Sequence, residues 1–232
     1  IILRRMALVG DALSHVALPG IALALIYGID PFWGVVSFCV AGVMIVWMLE
    51  RKTRLHSDAL IGLLFTFSLA IGILTIPDTE ILESLFGTFA PLSFPVFIFI
   101  TGAGIFLIAL TFLFAKRFLF SIISPDLAHI ESPRSSRWYE LALFIIFAFI
   151  VALGIKLVGT LLMGALTIIP ASIAKNISRS MSGYIIISAL FGGFTSLFGV
   201  TLASKMGFLP GPTIILLGIG LFAVSLFFTR KT

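Results

Sequence analysis

Charge is what this chain has least of. Only 11% of its 232 residues are Asp, Glu, Lys or Arg, against about 25% in a soluble domain of ordinary composition. That deficit excludes a mainly water-facing surface, and it makes counting domains from length meaningless. Cysteine is down to one residue, Cys39, inside an apolar run. No internal disulfide can form, and a small core residue is the simplest reading of it. Only three histidines are present, and His56 and His129 fall in polar connections. An intramembrane metalloenzyme centre of the HExxH kind, with a third ligand, lacks its material. There is no GxxxxGK[ST] nucleotide loop, so the chain alone should not hydrolyse ATP. The net charge of +5 is not a nucleic-acid signal either, because the basic residues stand in small groups at the ends of apolar runs, as topology signals do.

What is present is apolar: 60% of the residues, with a mean hydropathy of +1.22. A membrane span needs about 20 such residues, range about 17–25. Runs of that kind cover 7–27, 32–49, 58–76, 93–115, 139–155, 157–174, 182–203 and 211–228. The expected fold class is all-α, one polytopic transmembrane bundle of about eight spans over 1–232. The chain begins at Ile1, and one more span is expected ahead of it. The pair 139–155 and 157–174 is punctuated only by Gly154-Ile155-Lys156. Placing Arg4 and Arg5 in the cytoplasm and counting crossings puts every one of the 15 basic residues there except Lys156 and Lys205. That is the positive-inside arrangement, and it requires 139–174 to be two spans.

The outer loops are short and acidic, with Asp30 in one and Asp78, Glu80 and Glu83 in another. Segment 78–86 opens on an Asp that can cap a helix, and it reads either as a short external helix near the membrane surface or as a plain capped loop. The longest inner loop, 118–138, contains Ser124-Pro125-Asp126, a helix start with a capping Ser, an early Pro and an acid at the positive dipole end. Leu127, Ala128 and Ile130 give it an apolar edge, and Ser132-Pro133 stops it. Such an edge either packs under the bundle or docks a cytoplasmic partner.

The first run holds an acid and an imidazole. Asp11 and His15 are four residues apart, so on a helix they share a face, with Ser14 beside them. An ionisable group at membrane depth costs roughly 2.5–3.5 kcal/mol on insertion scales, and carboxylate plus imidazole suits a divalent transition metal. At ~1.5 Å per residue, His15 lies ~12 Å from Ala7 along the axis, near the middle of a ~30 Å core, with Asp11 one turn nearer the cytoplasm. Pro19 has no N–H and leaves the His15 carbonyl without its helical donor; Pro170 does the same to Leu166, with the Thr167 hydroxyl nearby. These two helix breaks are expected side by side. A lone intramembrane His is often a packing residue; the acid one turn before it and the proline one turn after favour an ion path. Asp58, at a span start, is read as a capping residue, and Gly192-Gly193 as a close-packing point.

Three stretches, in order, resemble the metal-ion permeases of ABC importers, which take up zinc, manganese or iron. They are RRMALVGDALSHVALPGIALA (4–24), SPDLAHIES (124–132) and KLVGTLLMGALTIIPASIA (156–174). Weaker echoes are 58–62, 85–87 and 211–213. Ser132 stands where that family usually has Gly. The resemblance implies a multi-pass subunit of the bacterial cytoplasmic membrane that works as a homodimer, with a separate ABC ATPase below and an extracytoplasmic metal-binding protein above. It implies that Pro125, Asp126, Leu127, Ala128 and Ile130 form the coupling helix for the ATPase, that the binding protein docks near Asp78, Glu80 and Glu83, and that Asp11 and His15 are transient ligands of the transported ion. No permanently bound cofactor is implied. The rival readings are a secondary-active metal transporter, which would need further buried acids, and, more remotely, the metalloenzyme.

Overall fold

The computed structural model describes residues 8–53, 57–77, 84–87, 93–123 and 133–228. Apart from short connections these residues are helical, with no strand among them. The helices are α1 (Leu8–Ile26), α2 (Pro31–Lys52), α3 (Ser57–Thr75), α4 (Phe94–Ile123), α5 (Pro133–Ile177), α6 (Met181–Met206) and α7 (Pro210–Ser225), closed by a 3-10 turn at Leu226–Phe228. Local chemistry sets several of the ends. Asp30 caps α2 by accepting the Phe32 amide, with Pro31 in the first turn. Ser180 caps α6 by accepting the Gly183 amide, and Gly207 ends it in the left-handed conformation.

Helix α5 contains 45 residues, and its apolar part, Leu141–Ile177, has 37. A straight helix of that length would run ~55 Å, nearly twice a ~30 Å hydrocarbon core. It is not straight. Gly159 has φ 79° and ψ 172°, which is outside helical space and open in practice only to glycine. Beyond it the chain folds back, because Met163 packs its sulfur onto Gly154, a pair that would lie ~13 Å apart on an unbroken helix. The arms are α5a (133–158) and α5b (160–177). The two-span reading of 139–174 therefore stands, but the reversal is at Gly159 and not at Gly154-Ile155-Lys156. Periodicity could not show this, since both sides of the turn are equally apolar. Counting the arms separately, each of the eight apolar runs lies on its own helical segment among the described residues, six helices are long and apolar enough to cross a membrane, and the chain is a multi-pass membrane protein.

Helix α1 is the centre of the bundle. Its apolar window is 78% buried, against 11% for α4. Small residues let its neighbours approach closely. Gly20 meets the Gly34 backbone of α2, Gly42 of α2 receives Val16, and Gly72 of α3 receives Leu18. The main apolar core joins α1 and α2 to α5, around Leu13, Ala17, Cys39, Ala148 and Val151. Cys39 is fully buried, and its thiol donates to the Leu13 carbonyl at 3.6 Å. At the end of the bundle where α5 reverses, a turn at 84–86 leads into Gly87, whose φ is also positive, and it rests on the reversal. At the other end of α5b, the Asn176 amide donates to the Ser225 hydroxyl at 2.9 Å.

Candidate metal site

Asp11 and His15 lie one turn apart inside α1, as the spacing requires, and their side chains face each other. His15 Nε2 is 3.8 Å from Asp11 Oδ1. That is too long for a hydrogen bond. It fits two ligands of one ion, since metal–ligand bonds of about 2.1 Å allow two donor atoms of the same ion to stand up to about 4.2 Å apart. The two differ in access. The His15 side chain is 9% exposed and that of Asp11 36%. The imidazole is fixed by packing: the Phe65 ring of α3 meets it edge-on, with centroids 4.8 Å apart and an interplanar angle of 80°. Its Nδ1 is buried without a hydrogen-bond partner. A buried, unpartnered ring nitrogen is costly. Ser14, fully buried, donates its hydroxyl to the Gly10 carbonyl at 2.8 Å, so it is satisfied within its own helix.

The second proline-bearing helix does lie beside the first. Thr167 of α5b packs on Gly10, and Gly164 lies against the Asp11 carboxylate. The Thr167 hydroxyl donates to the Gly164 carbonyl at 2.7 Å. Neither proline interrupts its helix: α1 continues through Pro19 to Ile26, and α5b continues through Pro170 to Ile177. Each removes one backbone donor, and the true break is Gly159. Pro170 rests on Gly192 of α6, while Gly193 has open space beside it.

Two features of this neighbourhood escaped sequence reasoning. One is Gly164, and the other is Thr160, fully buried with a hydroxyl that has no partner. Thr160, Gly164 and Thr167 recur at i, i+4 and i+7, a small-residue stripe on one helix face. That signal was legible, but apolar runs rich in Gly and Thr are common in membranes and say nothing about which helix they meet. Among the described residues, no three His, Cys, Asp or Glu side chains come together as a metal-binding group. Residues 78–83, which include Asp78, Glu80 and Glu83, and residues 124–132, which include Pro125, Asp126, Leu127, Ala128 and Ile130, lie outside the described residues, as do His56 and His129.

At the outer end, Asp30 accepts the Phe32 amide at 2.8 Å and pairs with Lys156 of α5a, whose Nζ is 3.2 Å from Oδ2. The same ammonium stands 5.0 Å from the Phe32 ring centroid, within cation–π range. The Phe32 amide, helped by Lys156, holds the Asp30 carboxyl below the usual carboxylate range. A cavity of about 290 Å³ opens here, lined by Ile21, Leu25, Asp30, Phe32, Ser84 and Lys156 among others.

The chain is similar to known proteins along nearly its whole length. Residues 1–229 match the model of the ABC 3 transport family. The chain is 31% identical to the manganese import system permease protein ScaB of Streptococcus gordonii, covering all of this chain and 84% of that protein. It is 30% identical to the high-affinity zinc uptake system membrane protein ZnuB of Haemophilus influenzae, covering 98% of this chain and 88% of that one. Its fold superposes on a solved structure of PsaBC from Streptococcus pneumoniae in complex with Fab, with a TM-score of 0.85 and 30% identity, over all of this chain and 84% of the other.

Proposed function

Because the chain belongs to the ABC 3 transport family, we propose that it is the membrane-spanning permease of an ATP-driven importer of a divalent transition metal, manganese or zinc, and that Asp11 and His15 are ligands along the ion's path. The observation that carries the ligand assignment is the pair itself: a carboxylate and an imidazole 3.8 Å apart in the most buried helix, the imidazole with a buried nitrogen left unpartnered. The relatives are named for manganese and for zinc, and an oxygen plus a nitrogen donor suits both.

In this reading each chain supplies half a site. Two ligands cannot enclose an ion, and the remaining donors come from water or from a second copy. Weak binding is what a path requires, since an ion held tightly is not released. ATP hydrolysis takes place on a separate ATPase that docks at 124–132, the metal arrives on an extracytoplasmic binding protein at the loop with Asp78, Glu80 and Glu83, and the membrane is the bacterial cytoplasmic one. The lack of a nucleotide loop in the chain supports the division of labour. A secondary transporter would couple to ions through further buried acids, and no acidic side chain is fully buried among the described residues, Asp11 and Glu50 being half-buried.

The test is metal-dependent growth of an uptake-deficient bacterial strain carrying this chain with its partner subunits. Asp11→Ala and His15→Ala should each abolish rescue while the chain still reaches the membrane in normal amount. Full rescue by both variants would remove the assignment.

A further inference from the structure

Gly164 is the described glycine whose missing side chain makes room for a charged group. A Cβ at this position would lie 2.5 Å from Asp11 Oδ1 and 3.5 Å from its Cγ, but 3.4 Å from its Cα. The collision is with the carboxylate and not with the backbone of α1. Oδ1 is also the oxygen that faces His15 Nε2. We infer that Gly164 is a positioning residue for the Asp11 carboxylate: the bare surface of α5b is the seat that decides where Oδ1 meets the ion. The inference rests on the ion-path reading above and deepens it.

The seat is held in register from the same two helices. Thr167 packs on Gly10, the residue before Asp11. Its hydroxyl is tied to the carbonyl of Gly164 itself. The level of α5b opposite Asp11 is therefore fixed one turn away. An Ala at 164 leaves that register intact, because a carboxylate turns on two torsions and can move where a backbone cannot. To restore an ordinary carbon–oxygen separation of about 3.3 Å, Oδ1 must shift by ~0.8 Å. A metal site tolerates about 0.2 Å on each bond, so a displacement of this size disorganises the pair without deleting a ligand. Gly20 shows the contrast. A Cβ there meets the Gly34 backbone of α2, so substitution would push α1 and α2 apart. Gly20 is a packing glycine, and Gly164 is a carboxylate seat.

The experiment uses the importer purified in detergent with this chain and its partner subunits, titrated with Mn²⁺ and followed by the EPR signal of the free ion. Gly164→Ala should weaken Mn²⁺ binding at least tenfold, with assembly unchanged. Thermal melting gives a second readout that a plain packing role would not produce. Gly164→Ala should lower the melting temperature in the native background and leave it unchanged in the Asp11→Ala background, where the new methyl fills the space of the lost carboxylate. If Gly164→Ala is too poorly folded to titrate, recovery of folding in the double variant upholds the inference and failure to recover overturns it. Native Mn²⁺ affinity in Gly164→Ala overturns it, and so does an equal drop in melting temperature in both backgrounds. If Asp11→Ala loses Mn²⁺ binding while Gly164→Ala keeps it, the seat alone is refuted. If Asp11→Ala binds normally, the ion-path reading fails, and the positioning role fails with it.

Discussion

Replacing Gly159 with Ala isolates the turn that makes two spans out of one 45-residue helical run. Two costs add. The first is conformational: φ 79° with ψ 172° is a region held in practice only by glycine, and a non-glycine residue there costs about 1–3 kcal/mol. The second is steric. A Cβ would meet the Gly87 amide nitrogen, and would lie 2.6 Å from the Leu85 carbonyl oxygen and 2.7 Å from the Phe86 carbonyl carbon. All three are backbone atoms, so none can rotate away, and segment 84–87 must separate from the reversal. Overpacking of this kind costs about 1–3 kcal/mol. The expected total is about 2–6 kcal/mol. Gly207→Ala is the matched control. Its φ is 71°, in the left-handed helical region, and open space surrounds it, so it should lose only about 1–2 kcal/mol. Both can be measured by reversible unfolding in mixed micelles of mild and denaturing detergent, followed by tryptophan fluorescence. If the two losses agree within about 0.5 kcal/mol, segment 84–87 does not clamp the reversal.

The tie between Asp30 and Lys156 should be pH-dependent in one direction. Asp30 titrates below an ordinary carboxylate in the folded chain, so its stabilisation is complete above the unfolded value of about 3.9 and fades as pH falls through the lower folded one. Asp30→Asn keeps the cap acceptor and removes the charge; it should be less stable than the native chain at about pH 7 by under about 1 kcal/mol, since the pair is solvent-screened. That gap should close in acid, and a gap that widens there would contradict the assignment. Cys39 is fully buried with its thiol bonded to the Leu13 carbonyl, so a maleimide should label it only after denaturation; rapid labelling of the folded protein would mean that the α1–α2 contact opens.

Much of the fold was legible because the membrane imposes a length. The eight apolar runs became eight helical segments, and α2 begins within one residue of its expected start because Asp30 and Pro31 punctuate it chemically. The reversal in α5 was misplaced by a few residues for an equally physical reason. Gly154 and Gly159 are both glycines in apolar surroundings, and only the φ actually adopted distinguishes the packing residue from the turn. At the site, Asp11 and His15 stood out because ionisable groups are rare at such depth. Gly164 did not, because its role is to lack a side chain, and a one-dimensional sequence does not say what stands opposite an absence. The prolines drew attention as breaks, yet both helices run through them, since a missing N–H removes one bond while neighbouring packing holds the axis.

The unequal burial of the pair has a consequence for how the site is completed. His15 is enclosed, with Phe65 of α3 on its ring and the rest of α1's neighbours around it. Asp11 has Gly164 of α5b against its carboxylate but remains about one-third exposed. On the proposed reading, further ligands approach at Asp11, the more exposed of the two. In that reading His15 is the enclosed donor and Asp11 the accessible one. On the proposed inward path an ion meets the imidazole first and the carboxylate, one turn nearer the cytoplasm, second. This arrangement also explains why a carboxylate, with its two oxygens, stands at the exposed position. One oxygen can face His15 while the other takes a ligand or water from beyond the chain, which a second imidazole at that position could not do without turning its ring.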